Sequence, residues 1–128
     1  MARAFRFSLQ PLLDRKAGIE NEHRQQVGAA RRALDEARAA LERLMAAVAT
    51  QPYLDAAIAA QIRRIAELQG DLEQKRHSLV AAARDRKVIE KLGERRRRAF
   101  DADEARWEEL ELDERNRPPY CRAQRTTA

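Results

Sequence analysis

Apolar residues recur at alternating steps of three and four from Val27 onward, the spacing of one face of a helix. This spacing selects seven positions between Val27 and Val48, and all seven are apolar, as is typical of the a and d positions of a coiled coil. Upstream, the phase slips through Leu12, Ile19 and His23, which indicates a stutter and looser supercoiling there. With Ser8 as a suitable N-cap, the pattern predicts a first helix over residues 9–49. Its seam, meaning the stripe of a and d positions, comprises Val27, Ala30, Leu34, Ala37, Leu41, Leu44 and Val48.

A second helix is predicted to begin after a break at Pro52. Proline lacks an N–H and disfavours helical backbone in the residue before it, while Thr50 or Gln51 could cap a new helix. We therefore predict a turn over residues 50–53 and a longer helix over 54–115. Eight of its eleven seam positions are apolar: Leu54, Ile58, Gln61, Ile65, Leu68, Leu72, Lys75, Leu79, Ala82, Arg86 and Ile89.

Two amphipathic helices joined by a short turn are expected to fold back on each other, because each stripe alone would leave Leu and Ile in water. The predicted fold is all-α: two long helices forming an antiparallel coiled-coil hairpin, the second helix longer. The alternative is a kinked helix that pairs only between chains. Pairing about the turn places Leu9 near Glu94 and Phe5 near Arg98, beyond which the second helix would project as an unpaired overhang.

Composition supports this fold and bounds the flanking segments. Charged residues make up 37% of the chain and aromatic residues 5%, a profile of long helices without strands. We expect residues 1–8 to be flexible and residues 116–128 to form a disordered tail. The net charge of +5 is uneven, with +3 over residues 90–100 and −7 over residues 101–114. The wholly basic face of a typical nucleic-acid binder is therefore missing.

No catalytic, metal or cofactor site is predicted. The four glycines stand singly inside helices, and His23 and His77 have no second ligand at helical spacing. Cys121 is the one cysteine, so an intrachain disulfide is impossible and a reducing compartment fits best. The basic N-terminus leaves an Arg-rich transit peptide as an alternative, and no apolar run is long enough for a membrane span.

Four consecutive arginines occupy residues 95–98. On a helix they span about 300° around the axis, which makes a collar and not a stripe able to follow one groove of nucleic acid. A basic coiled-coil scaffold or nucleic-acid-binding protein using this collar is nevertheless one reading. A plainer reading is a solvated helix face with local pairs of Glu94 with Arg98 and of Arg97 with Asp101.

Two stretches, "FRFSLQPLLDRK" and "LEQKRHSLVAAARDRKVIEKLGERRRRAF", resemble the FliJ family, the small coiled-coil component of the bacterial flagellar type III export apparatus. The resemblance covers most of residues 5–114, and its most telling parts are the apolar N-terminus and "DRKVIEKL". It implies a non-enzymatic stalk whose end bearing both termini enters the export ATPase ring and promotes ring assembly. It also implies a link to the membrane export gate, handling of export chaperones, and a role in flagellum biogenesis and motility.

The resemblance further implies a location and candidate contacts. The expected location is cytoplasmic, peripherally associated with the inner membrane at the flagellar base, with neither nucleic acid nor membrane insertion involved. Tyr53 and Leu54 at the turn are candidates for the gate contact. Candidates for the ATPase ring are Phe5, Phe7, Leu9, Leu12, Leu13, Lys91, Leu92, Arg95, Arg96 and Phe100, of which the apolar members could instead simply close the end of the hairpin.

Overall fold

The computed structural model describes residues 3–117 and contains two long helices. Helix α1 spans Gln10–Ala47 (38 residues), a 3₁₀ turn spans Pro52–Leu54, and α2 spans Asp55–Asn116 (62 residues). No strand occurs in residues 3–117. The prediction of an all-α chain with a longer second helix is therefore confirmed. Of the predicted tail, residues 118–128, including Cys121, lie outside the described range.

The described residues form two compact units, one of Pro11–Ile89 and the other of residues 3–10 together with residues 90–117. In the Pro11–Ile89 unit, the Gln61 side chain lies against α1 at Ala37, and Arg86 lies against Glu20. Later residues of α2 thus meet earlier residues of α1, so the helices run antiparallel. The core of this unit is Ala30, Leu34 and Leu72, with Val27, Ile65 and Leu68 packed around it.

Each predicted seam position is buried or half-buried in the structure. Leu34 is only 4% exposed, and a Leu side chain buried to this extent stabilises the fold by about 1.5–3 kcal/mol. The polar seam positions have partners: the Gln61 amide donates to the Ala37 carbonyl at 2.8 Å, and Lys75 pairs with Asp71 at 2.9 Å. The seam therefore accommodates polar residues without leaving their charges or amides unsatisfied.

The turn corrects one detail of the sequence interpretation. Thr50 does not cap α2; its hydroxyl donates to the Ala47 carbonyl of α1 at 3.0 Å. The backbone N–H groups of Thr50 and Gln51 donate to the same carbonyl at 3.1 and 2.9 Å. Gln51 stands at the N-cap position of the 3₁₀ turn but makes no capping bond through its side chain. The Thr50 hydroxyl thus adds a third hydrogen bond to the Ala47 carbonyl and helps to close the end of the first helix.

A buried carboxylate that the heptad pattern did not single out lies in the same unit. The Glu20 side chain is 7% exposed and accepts hydrogen bonds from two arginines. Arg24 donates to Oε1 at 3.0 Å, and the Arg86 Nε donates to Oε2. The signal for it was Arg86, a charged residue at a seam position, which calls for an acid on the facing helix.

Candidate protein-binding surface

Residues 3–9 precede α1 and are not helical; we call them the N-terminal strap. Phe5, Phe7 and Leu9 are half-buried, while the residues between them are exposed. This alternation is typical of an extended chain lying on a surface. The strap ends in a turn in which the Gln10 N–H donates to the Phe7 carbonyl at 3.0 Å.

Two phenylalanines attach the strap to α2. The rings of Phe5 and Phe100 lie 5.5 Å apart between centroids at an interplanar angle of 54°, a favourable tilted arrangement. Phe7 lies directly on Gly93: a Cβ atom at that position would come within 2.8 Å of the Phe7 ring. Gly93, at which the heptad pattern of α2 fails, is thus the position that gives the Phe7 ring room to reach the helix.

Two arginines of the collar contact the strap and also remain exposed to solvent. The guanidinium carbon of Arg96 lies 5.6 Å from the centroid of Phe7, and that of Arg97 lies 5.6 Å from the centroid of Phe5. Arg96 also donates to the Ser8 hydroxyl at 3.1 Å. Each cation–π contact at an exposed site contributes about 0.5–1 kcal/mol. Both arginines remain exposed, so their guanidinium groups hold the strap and are still accessible to a partner.

The other candidate residues differ in exposure and in the unit to which they belong. The Glu94–Arg98 pair is present at 3.9 Å, whereas Arg97 lies over Phe5. Leu92 is half-buried, and Lys91 and Arg95 are exposed. We call residues 3–9 and 91–100 together the terminal patch. Candidates outside the patch are Leu12 and Leu13, half-buried in the Pro11–Ile89 unit, and the turn residues Leu54, half-buried, and Tyr53, 75% exposed.

The described part of the chain offers little for other classes of site. Residues 3–117 hold no group of His, Cys, Asp or Glu arranged to bind a metal ion. Within the same residues, neither helix has a stretch long and apolar enough to cross a bilayer. The terminal patch, with its packed phenylalanine rings and exposed arginines, has the side-chain types that are enriched at protein–protein contacts.

Comparison with known families identifies the relatives of this chain. The model of the flagellar FliJ protein family matches residues 48–125, more than half of the chain. The chain belongs to the FliJ family. No curated protein and no solved structure is significantly similar to it. The FliJ match includes all of α2 and therefore the arginine collar, while the strap lies outside the matched span. Membership makes this chain a component of flagellar protein export, in a family that is non-enzymatic.

Alanine substitutions at Gly93, Gly70 and Gly18 distinguish the effect of helix propensity on stability from the effect of the Phe7 contact. Alanine is favoured over glycine within a helix by about 0.8–1 kcal/mol, and Gly18 and Gly70 have open space for a Cβ. We expect Gly70→Ala and Gly18→Ala to raise the free energy of unfolding by about that amount. Gly93→Ala should give no such gain, because its Cβ displaces Phe7, and it should speed hydrogen exchange of the Gln10 amide. An equal gain in all three variants, with unchanged exchange at Gln10, would show that Phe7 does not depend on Gly93.

Proposed function

We propose that this chain is a non-enzymatic stalk that binds the ring of the flagellar export ATPase through its terminal patch and promotes assembly of that ring. It further links the ring to the membrane export gate and to export chaperones. In this proposal the chain acts in the cytoplasm, peripherally associated with the inner membrane at the base of the flagellum. FliJ membership supports the export process, and the terminal patch supports the manner of binding.

The proposal rests on one observation: the strap and the arginine collar pack together and form a single surface. Phe5 and Phe7 are only half-buried, and the arginines over their rings remain exposed. Aromatic and arginine side chains dominate the binding energy of protein interfaces, because they combine a large contact area with directed hydrogen bonds. A ring that accepts the patch would present acidic side chains and apolar pockets, which complement its charge and its phenylalanines.

A smaller contact is proposed at the turn. Tyr53 is 75% exposed and follows Pro52, which fixes the backbone at this point. A tyrosine held on a short turn offers a partner a large amphipathic side chain that costs little conformational entropy to order. We assign Tyr53 and Leu54 to the export gate contact. A Tyr53→Ala variant that still binds the ATPase but no longer binds the gate protein would separate the two surfaces.

Co-purification with the flagellar export ATPase tests the proposed function. We expect the purified chain to elute with purified ATPase in gel filtration and to be retained by immobilised ATPase at moderate ionic strength. A mobility-shift assay with DNA and RNA serves as the comparison, and we expect no shift, since residues 101–114 carry a net charge of −7 beside the collar. Failure to bind the ATPase together with a salt-sensitive shift of nucleic acid would overturn the proposal in favour of a nucleic-acid-binding scaffold.

A further inference from the structure

The last part of α2 exposes large apolar side chains on one face. Trp107 is 57% exposed and Leu110 60% exposed, and they lie three residues apart, adjacent on the helix surface. Trp107 follows Phe100 by seven residues, so it continues the face on which the strap packs. Leu112 is also exposed, at 54%, but five residues from Trp107 it lies on a different side of the helix.

Acidic side chains flank this apolar pair. Glu104 and Glu111, one turn before and one turn after Trp107, line a shallow groove with it and with Arg3 of the strap. Asp103, one turn before Trp107, lies in line with the apolar pair, between Trp107 and Leu110 around the helix axis. Eight acids against one arginine give residues 101–114 a net charge of −7. We call Asp103, Glu104, Trp107, Leu110 and Glu111 the acidic-apolar face.

We propose that the acidic-apolar face docks a basic amphipathic helix of a protein partner. Phe100, Asp103, Trp107 and Leu110 keep the alternating spacing of four and three that a helix uses to meet a second helix. Residues 101–114 form a continuous helical surface about 21 Å long, which matches about four turns of a partner helix. The Glu104 and Glu111 carboxylates beside the apolar pair select Lys and Arg beside the partner's apolar stripe.

The charges disfavour the other occupants of such a face. If a second copy of this chain bound through the same face, two segments of net charge −7 would come into contact, and like charges in contact repel. Nucleic acid and anionic lipid are negatively charged as well. This inference does not depend on binding of the ATPase.

Trp107 is the one tryptophan of the chain, so its fluorescence reports on this face alone. The full chain is titrated with a synthetic helix of about 20 residues that carries Leu at a and d and Lys at e and g. A peptide with Glu in place of Lys and a scrambled basic peptide of the same composition are the comparators. We expect only the amphipathic basic peptide to shift Trp107 emission to shorter wavelength in a saturable manner. Leu110→Ala should weaken its binding about tenfold, and the matched control Leu112→Ala less than about twofold.

Several results would overturn this inference. Equal binding of the scrambled peptide would reduce it to unspecific attraction between charges, and equal effects of the two leucine variants would show that the apolar pair is not the contact. A blue shift on concentrating the chain without peptide would assign the face to a second copy. Finally, Glu104→Lys combined with Glu111→Lys is expected to transfer preference to the acidic peptide, and an unchanged preference would contradict the assigned role of the flanking acids.

Discussion

A Glu20→Ala variant is expected to lose about 2–4 kcal/mol of unfolding free energy, a large effect for a charged residue of the Pro11–Ile89 unit. The carboxylate is buried and receives hydrogen bonds from Arg86 and Arg24. Removing it takes a buried counter-charge away from Arg86, whose side chain is 26% exposed. Arg24 contributes less, because its side chain is 63% exposed and water replaces the lost bond. Urea denaturation followed by far-UV circular dichroism measures the change.

Glu67→Ala is the matched control for this prediction. Glu67 is a glutamate at the surface of α2, with its side chain 72% exposed and 3.9 Å from Arg64. Its removal should change stability by less than about 0.5 kcal/mol. Replacing both members of the buried pair, Glu20→Leu with Arg86→Leu, is expected to recover most of the loss, because apolar residues of similar size avoid burying a charge. Equal losses of unfolding free energy for Glu20→Ala and Glu67→Ala would mean that the buried carboxylate contributes no more to stability than an exposed one.

The second large effect concerns the terminal patch. Arg95→Glu combined with Arg96→Glu is expected to weaken binding to the export ATPase at least about tenfold while leaving helix content nearly unchanged. The double substitution removes the contacts of Arg96 with Phe7 and Ser8 and replaces two exposed positive charges by negative ones. Binding to immobilised ATPase and circular dichroism of the free chain measure the two quantities.

Arg63→Glu with Arg64→Glu provides the matched control. These arginines are exposed neighbours on α2 in the Pro11–Ile89 unit, and the change in net charge is the same. We expect the control pair to keep most of the affinity. If both pairs weakened binding alike, the attraction would depend on overall charge and not on the terminal patch. Loss of helicity with unchanged binding would instead make Arg95 and Arg96 structural residues that close the hairpin end.

The architecture could be predicted from the sequence because it depends on periodicity. The three-and-four spacing from Val27 to Ile89 identifies which residues turn inward before any partner is known. Pro52 gives the position of the break, and pairing about that break brings Phe5 to within one turn of Phe100, against which it packs. Hydrophobic burial dominates the energetics of a two-helix structure, so a pattern of apolar residues is sufficient to predict it.

What the sequence did not reveal depends on single contacts between distant residues. Gly93 interrupts the heptad pattern. That the Phe7 ring packs on Gly93 can be inferred only once the path of the strap is known. Glu20 reads as one charged residue among many until Arg86 is placed opposite it. Thr50 and Gln51 were both possible caps of the second helix, and only the turn geometry shows that the Thr50 hydroxyl bonds back to the first helix.

These contacts connect the fold to the proposed function. The two phenylalanines of the strap are held by a glycine, a third phenylalanine and two arginines, all on α2. A partner that bound this patch would meet rings and guanidinium groups in a preformed arrangement, which would lower the entropic cost of binding. The same segment would be a weak ligand if it were detached, since ordering a free chain opposes association.

The rate of ATP hydrolysis by the export ATPase, measured while this chain is added in increasing amounts, tests the central claim most directly. If the terminal patch binds the ring and promotes its assembly, the wild-type chain should raise the rate in a saturable manner. The Arg63→Glu and Arg64→Glu control should do the same, and the Arg95→Glu and Arg96→Glu variant should need far higher concentrations. An unchanged rate at every concentration of the wild-type chain, with no complex detected, would contradict the assignment of this chain as a stalk of the export ATPase.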